Sequence, residues 1–180
     1  MRNRRERTPA SPQIQGGLEF AWRVHAAQEA WTAKVDAKAS IVLSLEAAIL
    51  AALFAVQSPR LLLGRLTGWR SMLADTGVGL HVIAVIFAAA AVIPMLGRTK
   101  AHRAERTQNA IYFGHLRHWK PDQLIHWLAR MTPEDELEQL NRQLIALSRR
   151  NWRKHRNLQL AMVAALLGAA LIGIAVLFPW

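Results

Sequence analysis

The sequence predicts an all-helical integral membrane protein with three transmembrane helices, the first and third extending into a cytoplasmic helical bundle. Three observations predict it. Apolar residues make up 52% of the 180 residues, yet they gather in three runs instead of spreading along the chain. Basic residues cluster before the first run and between the second and third. A helical spacing of three and four continues across the start of the first and third runs without a proline or glycine to stop it.

The runs are ASIVLSLEAAILAALFAV (39–56), GVGLHVIAVIFAAAAVIPMLG (77–97) and LQLAMVAALLGAALIGIAVLF (158–178). An apolar stretch of about 18 residues or more is long enough to cross the hydrocarbon of a bilayer. The third run carries no charge, the second holds His81 near its start and Pro94 near its end, and the first contains Glu46. Of the 23 Lys and Arg, seven precede the first run, three lie between the first and second, 13 lie between the second and third, and none follows. The positive-inside rule then puts the N-terminus and residues 98–157 in the cytoplasm, and the 57–76 loop and Trp180 outside. The formal net charge of +11 is therefore accounted for by topology. No nucleic-acid reader module is visible, and nucleic acid is not an expected partner. With no cysteine, disulfides, a thiolate nucleophile and Cys-based zinc sites are excluded.

Residues 1–17 read as a disordered basic arm, and 18–180 as a single domain. From Leu18, positions Phe20, Val24, Ala27, Trp31, Lys34, Lys38, Ile41 and Leu45 form one face of a helix running to residue 56. Residues 18–38 would be its cytoplasmic part, and the whole would be about 58 Å long at 1.5 Å per residue. The outer loop is punctuated by Pro59, Gly64, Gly68 and an Asp75-Thr76-Gly77 break. In the cytoplasmic segment, KPDQLIHWLARM opens with Pro121 and Asp122, and TPEDELEQL with Thr132, Pro133 and three carboxylates. Both are helix starts. The second has a seam at Leu137, Leu140, Leu144 and Leu147 that continues through Asn151, Lys154 and Leu158 into the third span. Small residues recur every four at Ala161, Ala165, Ala169 and Gly173, and at Ala47, Ala51 and Ala55. Such ridges allow close helix packing, within one chain or between chains.

Sites follow from residue chemistry. His115, His118, Asp122 and His126 have metal-ligand identities, but Pro121 interrupts the helix that would align them. They read as interfacial histidines, with no metal expected. There is no serine elbow and no glycine-rich phosphate loop, so the chain is not expected to be an enzyme or to carry a cofactor. NAIYFGHLRHWK interleaves Asn109, Tyr112, Phe113, His115, Arg117, Trp119 and Lys120. Flat rings with guanidinium suit a base and a phosphate, and the same set also suits a membrane-interface belt. Lys34, Lys38, Arg149, Arg150, Arg153, Lys154 and Arg156 would gather at the same cytoplasmic level if the long helices pack together, with Asp36 at the cytoplasmic lip of the first span. Residues two apart on a helix do not face each other, so Asp36 is expected to pair across helices, with Arg153 or Lys154, and not with Lys38. Glu46 lies roughly 10 Å up the first span. A carboxylate there faces a wet path, as a gate or pore residue, or is held by a structural bond to another helix.

AWRVHAAQEAWTAKVDAKASIVLSLEAAIL, centred on Trp31 and the D-x-K-A-S string of Asp36, Lys38, Ala39 and Ser40, resembles the start of the Pycsar effector transmembrane family. NAIYFGHLRHW, with WRKH before the last span, is similar to its actinobacterial-type branch. The likeness covers roughly residues 20–178. It implies an effector of bacterial antiphage defence. A partner cyclase makes cyclic CMP or cyclic UMP on infection, the effector responds as a multi-pass protein of the inner membrane, and loss of membrane integrity kills the cell before phage matures. A homo-oligomer is expected, since three spans do not readily line a pore alone. The resemblance maps no nucleotide contacts. Asp36, Lys38, Asn109, Tyr112, Phe113, His115, Arg117, Trp119, Arg153 and Lys154 are candidates from their chemistry, and which nucleotide is bound stays open. The residues by themselves also allow a small channel or transporter subunit, or a membrane anchor for a soluble partner.

Overall fold

The computed structural model describes residues 11–56, 63–94, 103–104, 106–107 and 109–178. Among them every regular element is helical: α1 (Pro12–Val56), one 3-10 turn (Leu63–Arg65), α2 (Trp69–Val92), α3 (Phe113–Leu116), α4 (Pro121–Leu128) and α5 (Pro133–Leu177). Three of them, α1, α2 and α5, are long and apolar enough to cross a membrane, as expected.

The helix boundaries follow local chemistry. α1 starts at Pro12, six residues before the expected Leu18, and so takes in part of the expected arm; residues 1–10 lie outside the described residues. Ser11 precedes it, and the Ile14 amide donates to the Ser11 carbonyl at 3.0 Å. Serine followed by proline starts a helix well enough to carry Gly16 and Gly17 inside it. α5 begins as its sequence predicts. The Thr132 amide donates to Asp135 Oδ2 at 2.9 Å and the Asp135 amide to Thr132 Oγ1 at 3.2 Å, a reciprocal cap.

α2 departs from expectation. Asp75, Thr76 and Gly77 do not break it; they lie inside it. Thr76 Oγ1 donates to the Met72 carbonyl at 2.7 Å, and Ser71 Oγ to Asp75 Oδ2 at 3.4 Å. These side chains spend their hydrogen bonds one turn back along the helix. Gly77 serves packing: a Cβ there would stand 2.6 Å from Ile172 Cγ1 and 2.8 Å from the Gly168 carbonyl. The helix ends at Val92 because Ile93, with ψ 125°, precedes Pro94 and is kept out of the helical region.

The chain forms two compact units. The apolar unit comprises residues 31–94 and 151–180. In it α1 and α5 run in the same direction. Thr32 meets Asn151, Asp36 meets Lys154, and Val35 and Ala39 pack with Leu158 and Ala91. α2 runs the opposite way, from Arg70 beside Ala175 to Ala91 beside Leu158. Its buried stripe is Ala74, Gly77, Val78, His81, Ala84, Ala88 and Ala91. Arg70 Nε donates to the Ala175 carbonyl at 2.8 Å and its Nη2 to the Val176 carbonyl at 3.4 Å. One guanidinium thus serves carbonyls that the end of α5 leaves without a helical donor.

The buried face of α1 is not the expected one. Phe20, Trp31, Ile41 and Leu45 are exposed, and the buried line is Ala21, His25, Val35, Ala39 and Glu46, one position further along. Ile41 and Leu45 lie in the apolar run, and lipid is as apolar as leucine, so their bulky side chains gain nothing by turning inward. Contact forms instead where small residues let backbones approach and where polar groups find partners. Ala47, Ala51 and Ala55 stay exposed, because the line containing Glu46 takes the interior.

The polar unit comprises residues up to 30 and 95–150. Leu140 is fully buried in it, with Ala21, His25, Gln139 and Gln143. Trp22 Nε1 donates to Glu136 Oε1 at 3.0 Å, fixing the start of α1 against the start of α5. The seam predicted for α5 is present, with Leu137, Leu144 and Leu147 at least half-buried beside Leu140.

Candidate functional site

In the polar unit the segment before α3 is pinned to one face of α5. Gln139 Nε2 donates to the Thr107 carbonyl at 2.9 Å, and the Ala110 amide donates to Gln139 Oε1 at 2.7 Å. One turn on, Asn109 Nδ2 donates to Gln143 Oε1 at 3.1 Å. Two turns further, the Arg150 guanidinium lies over the Tyr112 ring, 4.5 Å from its centroid. Tyr112 packs on Phe113 at 4.6 Å and on His115 at 5.6 Å. Gly114 sits under its ring, where a Cβ would come within 2.3 Å of Tyr112 Cε1. The string NAIYFGH is therefore a closely packed knot. Tyr112 and His115 are buried in it, and Phe113 and Arg117 are exposed.

Trp119 is half-buried. Its Nε1 donates to the Arg106 carbonyl at 3.2 Å, the Arg106 guanidinium lies 5.5 Å from its ring, and Trp127 packs on it at 5.2 Å. Beside it Arg117 Nε donates to His118 Nε2 at 3.3 Å. Desolvation, and then the charges of Arg117, Arg103 and Arg106, hold the His118 imidazole below the usual histidine value. This corner is electropositive.

In the apolar unit, Lys154 Nζ donates to Asp36 Oδ1 at 2.5 Å, the cross-helix pairing expected of Asp36. Lys38 and Arg153 lie on exposed faces. Ser40 Oγ donates to the Asp36 carbonyl at 2.9 Å, so the serine of D-x-K-A-S bonds one turn back while Ala39 packs in the core. Among the described residues no cluster of histidines and carboxylates could hold a metal ion; His118 precedes Pro121, whereas Asp122 and His126 lie within α4.

Glu46 has a partner that the sequence did not name. His81 Nδ1 lies 2.6 Å from Glu46 Oε2, with both side chains buried at 3% and 4% exposure. One proton bridges that gap, whichever atom holds it. Gly168 of α5 closes the arrangement. A Cβ there would stand 3.0 Å from His81 Cδ2 and 2.8 Å from the Gly77 carbonyl. Two glycines, one on each helix, thus let α2 and α5 approach closely enough to hold the imidazole against the carboxyl. Beyond His81 lies an apolar groove of about 370 Å³ lined by Ile49, Leu53, Ala169 and Ile172. The signal for the pairing was available: two ionisable residues on separate apolar runs each need a polar partner.

A family model described as the Pycsar effector protein domain matches residues 20–179, spanning both units. No curated protein and no solved structure matches the chain.

Proposed function

Because the chain belongs to the Pycsar effector family, an antiphage membrane effector by that membership, we propose that it senses a cyclic pyrimidine nucleotide from a partner cyclase and disrupts the inner membrane. The observation that carries this reading is the extent of the family match, which takes in all three candidate spans and the whole segment between the second and third. The N-terminus and residues 98–157 lie in the cytoplasm, where the nucleotide is made and where the basic residues concentrate. Nucleotide binding biases a two-state packing of the helices. Several copies assemble, and Glu46 with His81 becomes part of the altered path through the bilayer. The chain acts by binding and rearrangement, without catalysis.

The intramembrane Glu46–His81 pair also favours a second reading, a channel or transporter subunit indifferent to nucleotide. Purified protein in liposomes loaded with a self-quenching dye separates the two. Leakage that requires cyclic CMP or cyclic UMP supports the effector, and leakage without either supports the constitutive channel. Intact liposomes together with no nucleotide binding would reject both and leave a membrane anchor.

A further inference from the structure

Within the polar unit a cavity of about 320 Å³ lies against α4 and the first turns of α5. It is at the small end of the roughly 300–1,000 Å³ range of ligand pockets, enough for one mononucleotide. None of its lining residues belongs to the candidates that the sequence suggested. We propose that this cavity is the nucleotide seat, and that it selects an amino-bearing pyrimidine, cytosine, over uracil. The proposal rests on the nucleotide-sensing reading above and adds the place and the base.

The lining supplies what a cyclic mononucleotide needs. Trp127 gives an aromatic wall, braced from behind by Trp119 at 5.2 Å, and an aromatic face stacks any base. Arg130 spends its Nε on the His126 carbonyl at 3.1 Å, which orients the guanidinium and keeps its other donors for a phosphate. Gln139 forms part of the wall and is locked by its two bonds to Ala110 and Thr107.

Selectivity comes from the carboxylates. Two arginines, Arg130 and Arg142, face two acids, Asp135 and Glu138, so the lining is balanced in charge, unlike a simple phosphate trap. Asp135 is occupied in capping α5. Glu138 receives Arg142 on Oε1 at 2.5 Å, and its second oxygen keeps its acceptor capacity. Cytosine presents an exocyclic amino donor at the position where uracil presents a carbonyl, and a carboxylate accepts from the first and repels the second. A cyclic CMP placed with its base on Trp127 and its phosphate at Arg130 meets each group with its complement.

The test uses the full-length protein in nanodiscs, with cyclic CMP and cyclic UMP titrated by calorimetry. Cyclic CMP is expected to bind on the order of tenfold tighter than cyclic UMP. Glu138→Gln, on a largely exposed side chain, should reduce that ratio towards one, because an amide offers both a donor and an acceptor. Trp127→Ala should weaken both nucleotides by on the order of tenfold or more. Trp127→Phe keeps a stacking face and should bind nearly as well, which controls for misfolding. Equal binding of the two nucleotides by the wild type, or an unchanged ratio in Glu138→Gln, overturns the selectivity. Nucleotide-dependent leakage that survives Trp127→Ala unaltered overturns the site and leaves the effector reading standing. No binding of either nucleotide by the wild type defeats the effector reading, and the site with it.

Discussion

Removing either member of the Glu46–His81 pair should destabilise the apolar unit by an amount that reports how the shared proton is held. Both side chains are more than nine-tenths buried and their polar atoms lie 2.6 Å apart. Glu46→Ala leaves the imidazole without its partner in an apolar interior, a loss of about 1–3 kcal/mol if the pair is a neutral hydrogen bond. Breaking a buried ion pair instead costs about 3–5 kcal/mol. Interhelical hydrogen bonds within bilayers couple by about 0.6–1.7 kcal/mol in double-mutant cycles. A cycle of Glu46→Ala, His81→Ala and the double variant, followed by reversible SDS unfolding in mixed micelles, therefore separates the cases. Coupling of about 0.5–2 kcal/mol identifies a neutral bond, and about 3 kcal/mol or more an ion pair. Glu46→Gln, which keeps a hydrogen-bonding amide at that position, should lose less than Glu46→Ala. If the two single changes simply add, with coupling under about 0.5 kcal/mol, the pair does not hold α1 to α2.

Gly168→Ala should cost about 1–3 kcal/mol through overpacking, since its Cβ would press on the Gly77 carbonyl and the His81 ring; a melting temperature unchanged from wild type would argue against the close crossing. Asp36→Lys or Lys154→Asp alone should each lose roughly 0.5–1 kcal/mol for a partly exposed pair, and the double exchange should recover most of it; failure of rescue counts against the pairing. His118 should titrate below its ordinary value of 6.5 in an NMR pH series, and Arg117→Ala should raise its midpoint. Because the unfolded chain takes up that proton first, the stability tied to His118 is present above about pH 6.5 and declines as pH falls towards the folded-state value; a midpoint at or above 6.5 would contradict this.

The parts of the fold that were legible rest on local chemistry. Thr132 and Pro133 start a helix wherever they fall, and the Leu140–Leu144–Leu147 seam needs only an aqueous setting to turn inward. The partnership of Asp36 with Lys154 could be reasoned from helix geometry, since Lys38 cannot reach across the axis. The α1 face was misread because hydrophobicity ranks Ile41 and Leu45 as interior, a ranking that holds against water and fails against lipid. Gly77 looked like a break because glycine ends helices in water, whereas here its missing side chain admits Gly168. Glu46 was conspicuous in one run, but its partner lay 35 positions away, beyond what periodicity relates. The NAIYFGH string was read for its flat faces and charges; the structure shows that several of those groups are occupied with one another.

The place of His81 in the chain has a consequence for how the protein is made. Spans leave the ribosome in order, and the first carries the carboxyl whose insertion alone would cost about 2.5–3.5 kcal/mol. Its partner is in the next span to emerge, so α1 and α2 can enter the bilayer as a hairpin with the acid already satisfied. α5 arrives afterwards, its Gly168 closing over the imidazole and its last carbonyls meeting Arg70. A nascent chain halted before residue 133 should thus already be stably inserted, with the third span joining a finished pair.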